Sequence, residues 1–145
     1  MAELFEILLV EDYEPDVQLV LRLFRKNRIA NKLHVVHDGI QAMDFVLCRG
    51  AFRERTFGVP SVVVIMDIRL PKVDGWEVLR QMRLDPRTRG ISVVVISGSL
   101  FPEELEKSRR LGANATLSKP IRLESLRDAL ARSGFTLTTL QEKQT

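Results

Sequence analysis

The chain has 145 residues, 45% of them hydrophobic, which is enough to bury one core but leaves no room for a second domain of ordinary length. Its 22 basic and 19 acidic residues leave a formal charge of +3. Both signs are scattered along the chain, which predicts an ordinary solvated surface and no nucleic-acid partner. The lone Cys48 excludes an intrachain disulfide, and the apolar stretch at 7–10 is too short for a signal peptide or membrane span, so we expect a cytoplasmic protein.

Five short apolar runs predict β-strands. They are rich in Val, Ile, Leu or Ala and lie at residues 5–10, 33–36, 62–66, 93–96 and, more weakly, 115–117. The runs are continuous and do not alternate with polar residues. This indicates strands that are covered on both faces, as in a parallel sheet between two layers of helices.

Helical patterns follow the strands. The first covers residues 16–28, the second follows the capping residue Asp38 and extends through Arg49, the third runs from 75 to the Asp85-Pro86 pair, and the last two begin after Pro102 and near Leu123. Five alternations of strand and helix predict a doubly wound α/β fold of the flavodoxin-like kind, with a five-stranded parallel sheet in the order 2-1-3-4-5. Such folds bind ligands beyond the carboxyl ends of the strands.

Polar side chains collect at that edge of the predicted sheet. Glu11 and Asp12 follow the first strand, Asp67 the third, Ser97 closes the fourth and Lys119 follows the fifth. Three converging carboxylates repel one another, and their oxygen ligands favour Mg²⁺ as the cation that relieves the repulsion. We expect Asp67 to be a nucleophile toward phosphorus, with Lys119 and Mg²⁺ supplying positive charge and Ser97 a hydroxyl for a phosphoryl oxygen.

Four stretches resemble the receiver domains of two-component response regulators. They are ILLVED at 7–12, MDIRLPKVDG at 66–75, VVVISGS at 93–99 and SKP at 118–120, in the family's order and spacing. The resemblance covers residues 5–132. It implies that a sensor histidine kinase transfers a phosphoryl group from a phosphohistidine to Asp67, and that water later hydrolyses the acyl phosphate. Such a protein is a phosphoacceptor that assists its own phosphorylation and dephosphorylation, and it is not an enzyme in the usual sense.

The resemblance also assigns the site residues. Mg²⁺ would be held by Glu11 or its water, Asp12, Asp67 and the main-chain carbonyl of Arg69. Lys119 and Ser97 would contact the phosphoryl group, and the Lys119–Pro120 peptide bond would be cis. The chain departs from the family at Thr116, three residues before the lysine, where an aromatic residue is usual, so we expect a different coupling of the site to the rest of the domain. Arg69 and Ser99 occupy positions that tune the lifetime of the phosphate.

Three other functions fit this sequence less well. Thr116 favours a receiver-like interaction module that takes no phosphate, but the intact acidic triad opposes it. An aspartate-nucleophile phosphatase would carry an acidic residue where this chain has Arg69, and a flavin-binding protein would not carry EDYEPD at its phosphate loop.

The inserted GAFRERTFGVP segment and the C-terminal tail resemble phytochrome-associated regulators, which suggests a phytochrome-like kinase as partner. We assign residues 1–133 to the receiver domain and 134–145 to a tail. The tail is either a frayed end or an arm that crosses to a second subunit, and we favour the homodimer. Because no output domain follows, we expect an unknown downstream protein to bind the surface of helix four, strand five and helix five.

Overall fold

Five parallel strands form one sheet in the order β2-β1-β3-β4-β5, so the predicted topology is confirmed. The computed structural model describes residues 4–140. The strands are β1 (Glu6–Val10), β2 (Leu33–Val36), β3 (Val62–Asp67), β4 (Ser92–Ser97) and β5 (Ala115–Ser118). The central strands β3 and β4 are buried along their whole length, which agrees with the continuous apolar runs in the sequence.

Helices alternate with these strands. They are α1 (Glu14–Lys26), α2 (Gly39–Val46), α3 (Gly75–Leu84), α4 (Pro102–Arg110) and α5 (Leu123–Arg132), with a short 3₁₀ turn at Gly50–Phe52. Asp38 caps α2 as predicted, because its side chain accepts a hydrogen bond of 2.7 Å from the backbone N–H of Gln41. The predicted extension of α2 through Arg49 is wrong. The helix ends at Val46, and Cys48 adopts a positive φ of 53° that no helix continues through.

The core lies in two layers on the two faces of the sheet. Alternate residues of β1 point to opposite sides, so that Leu8 and Val10 pack with α2 and α3 while Ile7 and Leu9 pack with α1 and α5. The helix α4 is different, because its one buried residue is the polar Ser108. This helix therefore buries less apolar surface against the sheet than the other helices do.

A close approach of two backbones brings the start of α3 against the end of β3. A Cβ atom added at Gly75 would lie 2.6 Å from the carbonyl oxygen of Asp67 and 2.7 Å from Cα of Ile68. Only glycine fits at this position without moving the loop. The loop after β3, which carries Asp67 and Arg69, is held in place by this contact and by a 2.9 Å hydrogen bond from Gly75 N–H to the carbonyl of Ile68.

The described part of the tail folds back onto its own chain. The Phe135 ring lies 4.8 Å from the Phe5 ring, Leu137 is buried, and the backbone of Thr138 accepts a 2.7 Å hydrogen bond from Ala30 N–H. Residues 141–145 of the predicted arm lie outside the described residues, and the crossing to a second subunit stays a prediction. None of the helices within residues 4–140 is long and apolar enough to cross a membrane.

Candidate functional site

Three predicted carboxylates meet at the carboxyl edge of the sheet. Glu11 and Asp12 follow β1, and Asp67 ends the neighbouring strand β3. One carboxylate oxygen of each lies within 4.8 Å of the others. Glu11 and Asp67 are buried and Asp12 is exposed, so the cluster opens to solvent on one side.

Lys119 reaches into the same cluster from the end of β5. Its Nζ lies 2.7 Å from Oδ2 of Asp67, 2.5 Å from Oε1 of Glu11 and 2.8 Å from Oδ2 of Asp16. The Lys119–Pro120 bond is cis, in agreement with the prediction. The Lys119 N–H also donates to the carbonyl of Ser97 at 2.9 Å, which fixes the start of this loop against β4.

The charges at this cluster shift two pKa values. Burial raises the pKa of Glu11 to about 7, and the neighbouring Asp67 carboxylate adds to this effect while the Lys119 ammonium opposes it. Burial alone would lower the pKa of Lys119, but its contacts with Asp16, Asp67 and Glu11 outweigh burial and raise that pKa above its usual value. Lys119 therefore stays charged throughout the physiological pH range.

The chemistry of the cluster fits a hard divalent cation. Oε1 of Glu11 is buried and accepts no hydrogen bond of ordinary geometry from residues 4–140, although it pairs with the Lys119 charge. Three carboxylates this close together repel one another, and carboxylate oxygens are the ligands that Mg²⁺ prefers. Glu11, Asp12 and Asp67 are therefore suited to hold such an ion. Arg69 follows Asp67 in the same loop and donates its N–H to Oδ1 of Asp67 at 3.1 Å, while its carbonyl as a ligand stays a prediction.

Ser97 lies at the same edge but makes different contacts. Its buried hydroxyl has one proton and two acceptors within hydrogen-bond distance, the carbonyl of Ser99 at 2.9 Å and Oε2 of Glu104 at 3.3 Å. The Arg69 guanidinium contacts the same residues, with Nη1 at 3.2 Å from Oγ of Ser99 and Nη2 at 3.3 Å from Oε1 of Glu104. The fold thus brings Ser97 to the edge of the site, where it forms a second polar group with Ser99, Glu104 and Arg69.

Two residues of the site were not predicted from sequence. Asp16 lies in the first turn of α1 and contacts Lys119, and Glu104 lies in the first turn of α4 and contacts Ser97 and Arg69. Acidic residues are common in first turns because they complement the helix dipole. The available signal was that both helices begin at the carboxyl edge, so their first-turn side chains border the cluster.

Fold and site together define the class of protein. A 2-1-3-4-5 parallel sheet that carries an acidic cluster and a lysine at its carboxyl edge is the arrangement of receiver domains. The family model of the response regulator receiver domain matches residues 7–131. The chain belongs to this family, whose members are phosphoacceptors and not enzymes in the usual sense.

Several known proteins of this family are similar to the chain. The chain is 36% identical over 124 residues to the probable methanogenesis regulatory protein FilR2 of Methanothrix harundinacea, covering 85% of this chain and 77% of FilR2. It is 33% identical to the response regulator Rcp1 of Synechocystis sp., covering 83% and 80% of the two chains. The structure of the bacteriophytochrome response regulator AtBRR superposes with a TM-score of 0.84 at 37% identity, covering 97% of this chain and 99% of AtBRR. The structures similar to this chain thus include a bacteriophytochrome response regulator.

Proposed function

We propose that this protein is a phosphorylation-driven switch in which Asp67 accepts a phosphoryl group from a sensor histidine kinase. The observation that carries the proposal is the position of Asp67, whose Oδ2 lies 2.7 Å from the Lys119 ammonium and whose carboxylate shares the cluster with Glu11 and Asp12. A carboxylate nucleophile for phosphorus needs positive charge beside the equatorial oxygens, and this site supplies it.

Each residue has a distinct role in the proposed transfer. A carboxylate oxygen of Asp67 forms a bond to phosphorus while the P–N bond of the phosphohistidine breaks and its electron pair stays on the imidazole nitrogen. Lys119 is close enough to Asp67 to contact a phosphoryl oxygen, and Ser97 offers a hydroxyl at the same edge. Glu11, Asp12, Asp67 and the Arg69 carbonyl would hold Mg²⁺, which when bound neutralises charge on the phosphoryl oxygens.

Hydrolysis of the acyl phosphate by water would end the signal. Arg69 and Ser99 each lie two residues after a site residue and contact each other at 3.2 Å, which supports a role for this pair in limiting the access of water. The phosphorylated protein would act by protein contacts in the cytoplasm. The likeness to the bacteriophytochrome response regulator AtBRR supports a phytochrome-like kinase as the donor.

Intact-protein mass tests the proposal directly. The chain is incubated with acetyl phosphate with and without Mg²⁺, in parallel with Asp67→Asn. Asp128→Asn is the matched control, since Asp128 is an exposed aspartate on α5 away from the site. We expect a gain of one phosphoryl group that requires Mg²⁺, that is retained in Asp128→Asn and that is absent in Asp67→Asn.

The alternative is a receiver-like interaction module that takes no phosphate. It predicts no mass gain from acetyl phosphate and none from a histidine kinase that phosphorylates other receivers. A mass gain that persists in Asp67→Asn would contradict the assignment of the acceptor while leaving the switch itself intact.

A further inference from the structure

Glu104 connects the site to α4 through two hydrogen-bond donors. Its Oε1 accepts from Nη2 of Arg69 at 3.3 Å, and its Oε2 lies 3.3 Å from Oγ of Ser97, whose single proton it shares with the carbonyl of Ser99. Only 17% of the Glu104 side chain is exposed although it carries a charge. We call these two contacts the Glu104 bridge. They join the loop after β3 and the end of β4 to the first turn of α4.

The bridge is one of two polar attachments on the same face of α4. Ser108, four residues after Glu104, is fully buried, and its hydroxyl lies 2.8 Å from Oγ1 of Thr116 on β5. Residues four apart lie one above the other on a helix, so both attachments face the sheet. The larger apolar residue of the helix, Leu105, is 39% exposed. Hydrogen bonds at a half-buried surface hold a helix less firmly than a buried apolar stripe does, so α4 depends on these two contacts.

Both donors of the bridge belong to residues that lie beside Asp67 in the fold. Arg69 follows the acceptor by two residues, and Ser97 ends the neighbouring strand. A phosphoryl group brings about two negative charges and several strong acceptor oxygens. It therefore competes with Glu104 for the same hydroxyl and guanidinium, and its charge repels the Glu104 carboxylate.

We propose that Glu104 is the positioning residue that couples Asp67 to α4. Before phosphorylation the Glu104 bridge holds Ser97, Arg69 and the start of α4 together. When the phosphoryl group takes over Ser97 and Arg69, the bridge breaks and the first turn of α4 is released. This inference rests on the proposed function, and it provides a route of coupling that needs no aromatic residue at Thr116.

The test compares Glu104→Gln with Glu106→Gln in the full chain. Glutamine keeps the size of Glu104 and an acceptor oxygen but removes the charge that binds Arg69. Glu106 is exposed on the same helix and pairs with Arg109. Its substitution also removes one negative charge from α4, but at a position that is not part of the bridge. Hydrogen exchange of the amides of residues 101–111 measures the release of α4. The fluorescence of Trp76, the only tryptophan, is a second measure, because Nζ of Lys107 on α4 lies 5.1 Å from the centre of its ring.

We expect α4 of unphosphorylated Glu104→Gln to exchange about fivefold to tenfold faster than in the native chain, close to the level that the native chain reaches with acetyl phosphate and Mg²⁺. We also expect Glu104→Gln to gain the phosphoryl mass several-fold faster, because Ser97 and Arg69 are freed. A purely structural role for Glu104 would loosen α4 but would not accelerate phosphorylation. Glu106→Gln should match the native chain in both measurements.

The proposal is overturned if exchange of α4 in Glu104→Gln equals that of the native chain, or if phosphorylation of the two proceeds at the same rate. A native chain that gains no phosphoryl mass overturns the proposed function and with it the coupling. Hydrogen exchange of α4 in Glu104→Gln, measured without a phosphoryl donor, distinguishes failure of the proposed function from failure of the coupling. It reports whether Glu104 holds α4 even if the native chain gains no phosphoryl group.

Discussion

Two positively charged side chains, one at each edge of the sheet, are compensated in opposite ways. At the carboxyl edge, the ammonium of Lys119 lies among three carboxylates. At the amino edge, the half-buried guanidinium of Arg83 on α3 has no carboxylate partner within residues 4–140 and binds neutral oxygens instead. These are the carbonyls of Arg89, Ile91 and Gly112 and Oδ1 of Asn114, at 2.7 to 3.0 Å.

The difference separates a structural group from a functional one. The planar guanidinium of Arg83 donates to four acceptors in fixed directions. If the guanidinium moves, it loses at least one hydrogen bond and no other acceptor replaces it. Lys119 has three anionic partners around one flexible ammonium, so it can lose one partner and remain compensated. Under the proposed function Lys119 turns toward an incoming phosphoryl oxygen, which requires that redundancy, whereas a group that joins two loops to a helix does not require it.

Substitution of Arg83 should produce the largest loss of stability. Arg83→Met leaves several loop carbonyls without a donor, and we expect the free energy of unfolding in urea to fall by about 2–4 kcal/mol. Arg83→Lys should recover less than half of this loss, because an ammonium cannot reach all four acceptors at once.

The matched control for this measurement is Arg80→Met, one turn earlier on α3. Arg80 pairs with Glu77 at the exposed surface, so its loss should change stability little. Equal effects of the two substitutions would contradict the view that Arg83 joins the loops of the amino edge.

Asn31 is a second satisfied polar group at the amino edge, and its loss should have the next largest effect. Its buried side chain donates to the carbonyl of Phe5 at 2.9 Å and accepts from Thr138 N–H at 2.8 Å, so it joins β1 to the tail. We expect Asn31→Ala to lower the free energy of unfolding by about 2 kcal/mol and to expose residues 135–140 to limited proteolysis. Asn27→Ala is the matched control: it removes one hydrogen bond to the carbonyl of Leu23 at the C-terminal end of α1, and it should leave the tail protected.

The sheet and the acidic triad were predictable because their signals are local. Each strand is a continuous apolar run, and parallel strands place the residues that follow them at one edge. The position of Lys119 beside Asp67 follows from the same rule, although 52 residues separate them. The end of α2 was not predictable, because the apolar Leu47 and Cys48 continue the helical pattern and no Gly or Pro lies between Gly39 and Gly50.

Side-chain contacts between different helices, strands and loops could not be predicted from the sequence. Asp16 and Glu104 look like ordinary first-turn acids, and Arg83 looks like an ordinary basic residue in the last turn of a helix. Asp16 contacts Lys119, which is 103 residues away along the chain, and Glu104 contacts Arg69, which is 35 residues away. Arg83 contacts residues of the α4–β5 loop that are 29 to 31 residues away. Only the packing of helices on the sheet determines which of these side chains meet.

The smallest expected effect on stability comes from Glu11, and it contrasts the two edges of the sheet most directly. The Glu11 carboxylate has a pKa raised from its ordinary 4.5 to about 7, so the folded state binds its proton more tightly than the unfolded chain does. Stability from this group is complete below about pH 4.5 and is lost as the pH rises through about 7. In the presence of a chelator, the melting temperature of the native chain should therefore fall between pH 5 and pH 8, and Glu11→Gln should reduce that fall.

At pH 8 without metal, we expect Glu11→Gln to be more stable than the native chain by about 1 kcal/mol, a value kept small because Lys119 loses a close ion pair in the variant. Mg²⁺ should reverse the order by stabilising the native chain alone, since glutamine contributes no charge to the cation. A polar substitution at the carboxyl edge would then stabilise the metal-free protein, whereas Asn31→Ala at the amino edge destabilises it. If Glu11→Gln were destabilising at pH 8 with the chelator present, the buried charge of Glu11 would be as well compensated as the guanidinium of Arg83, and the contrast between the edges would be wrong.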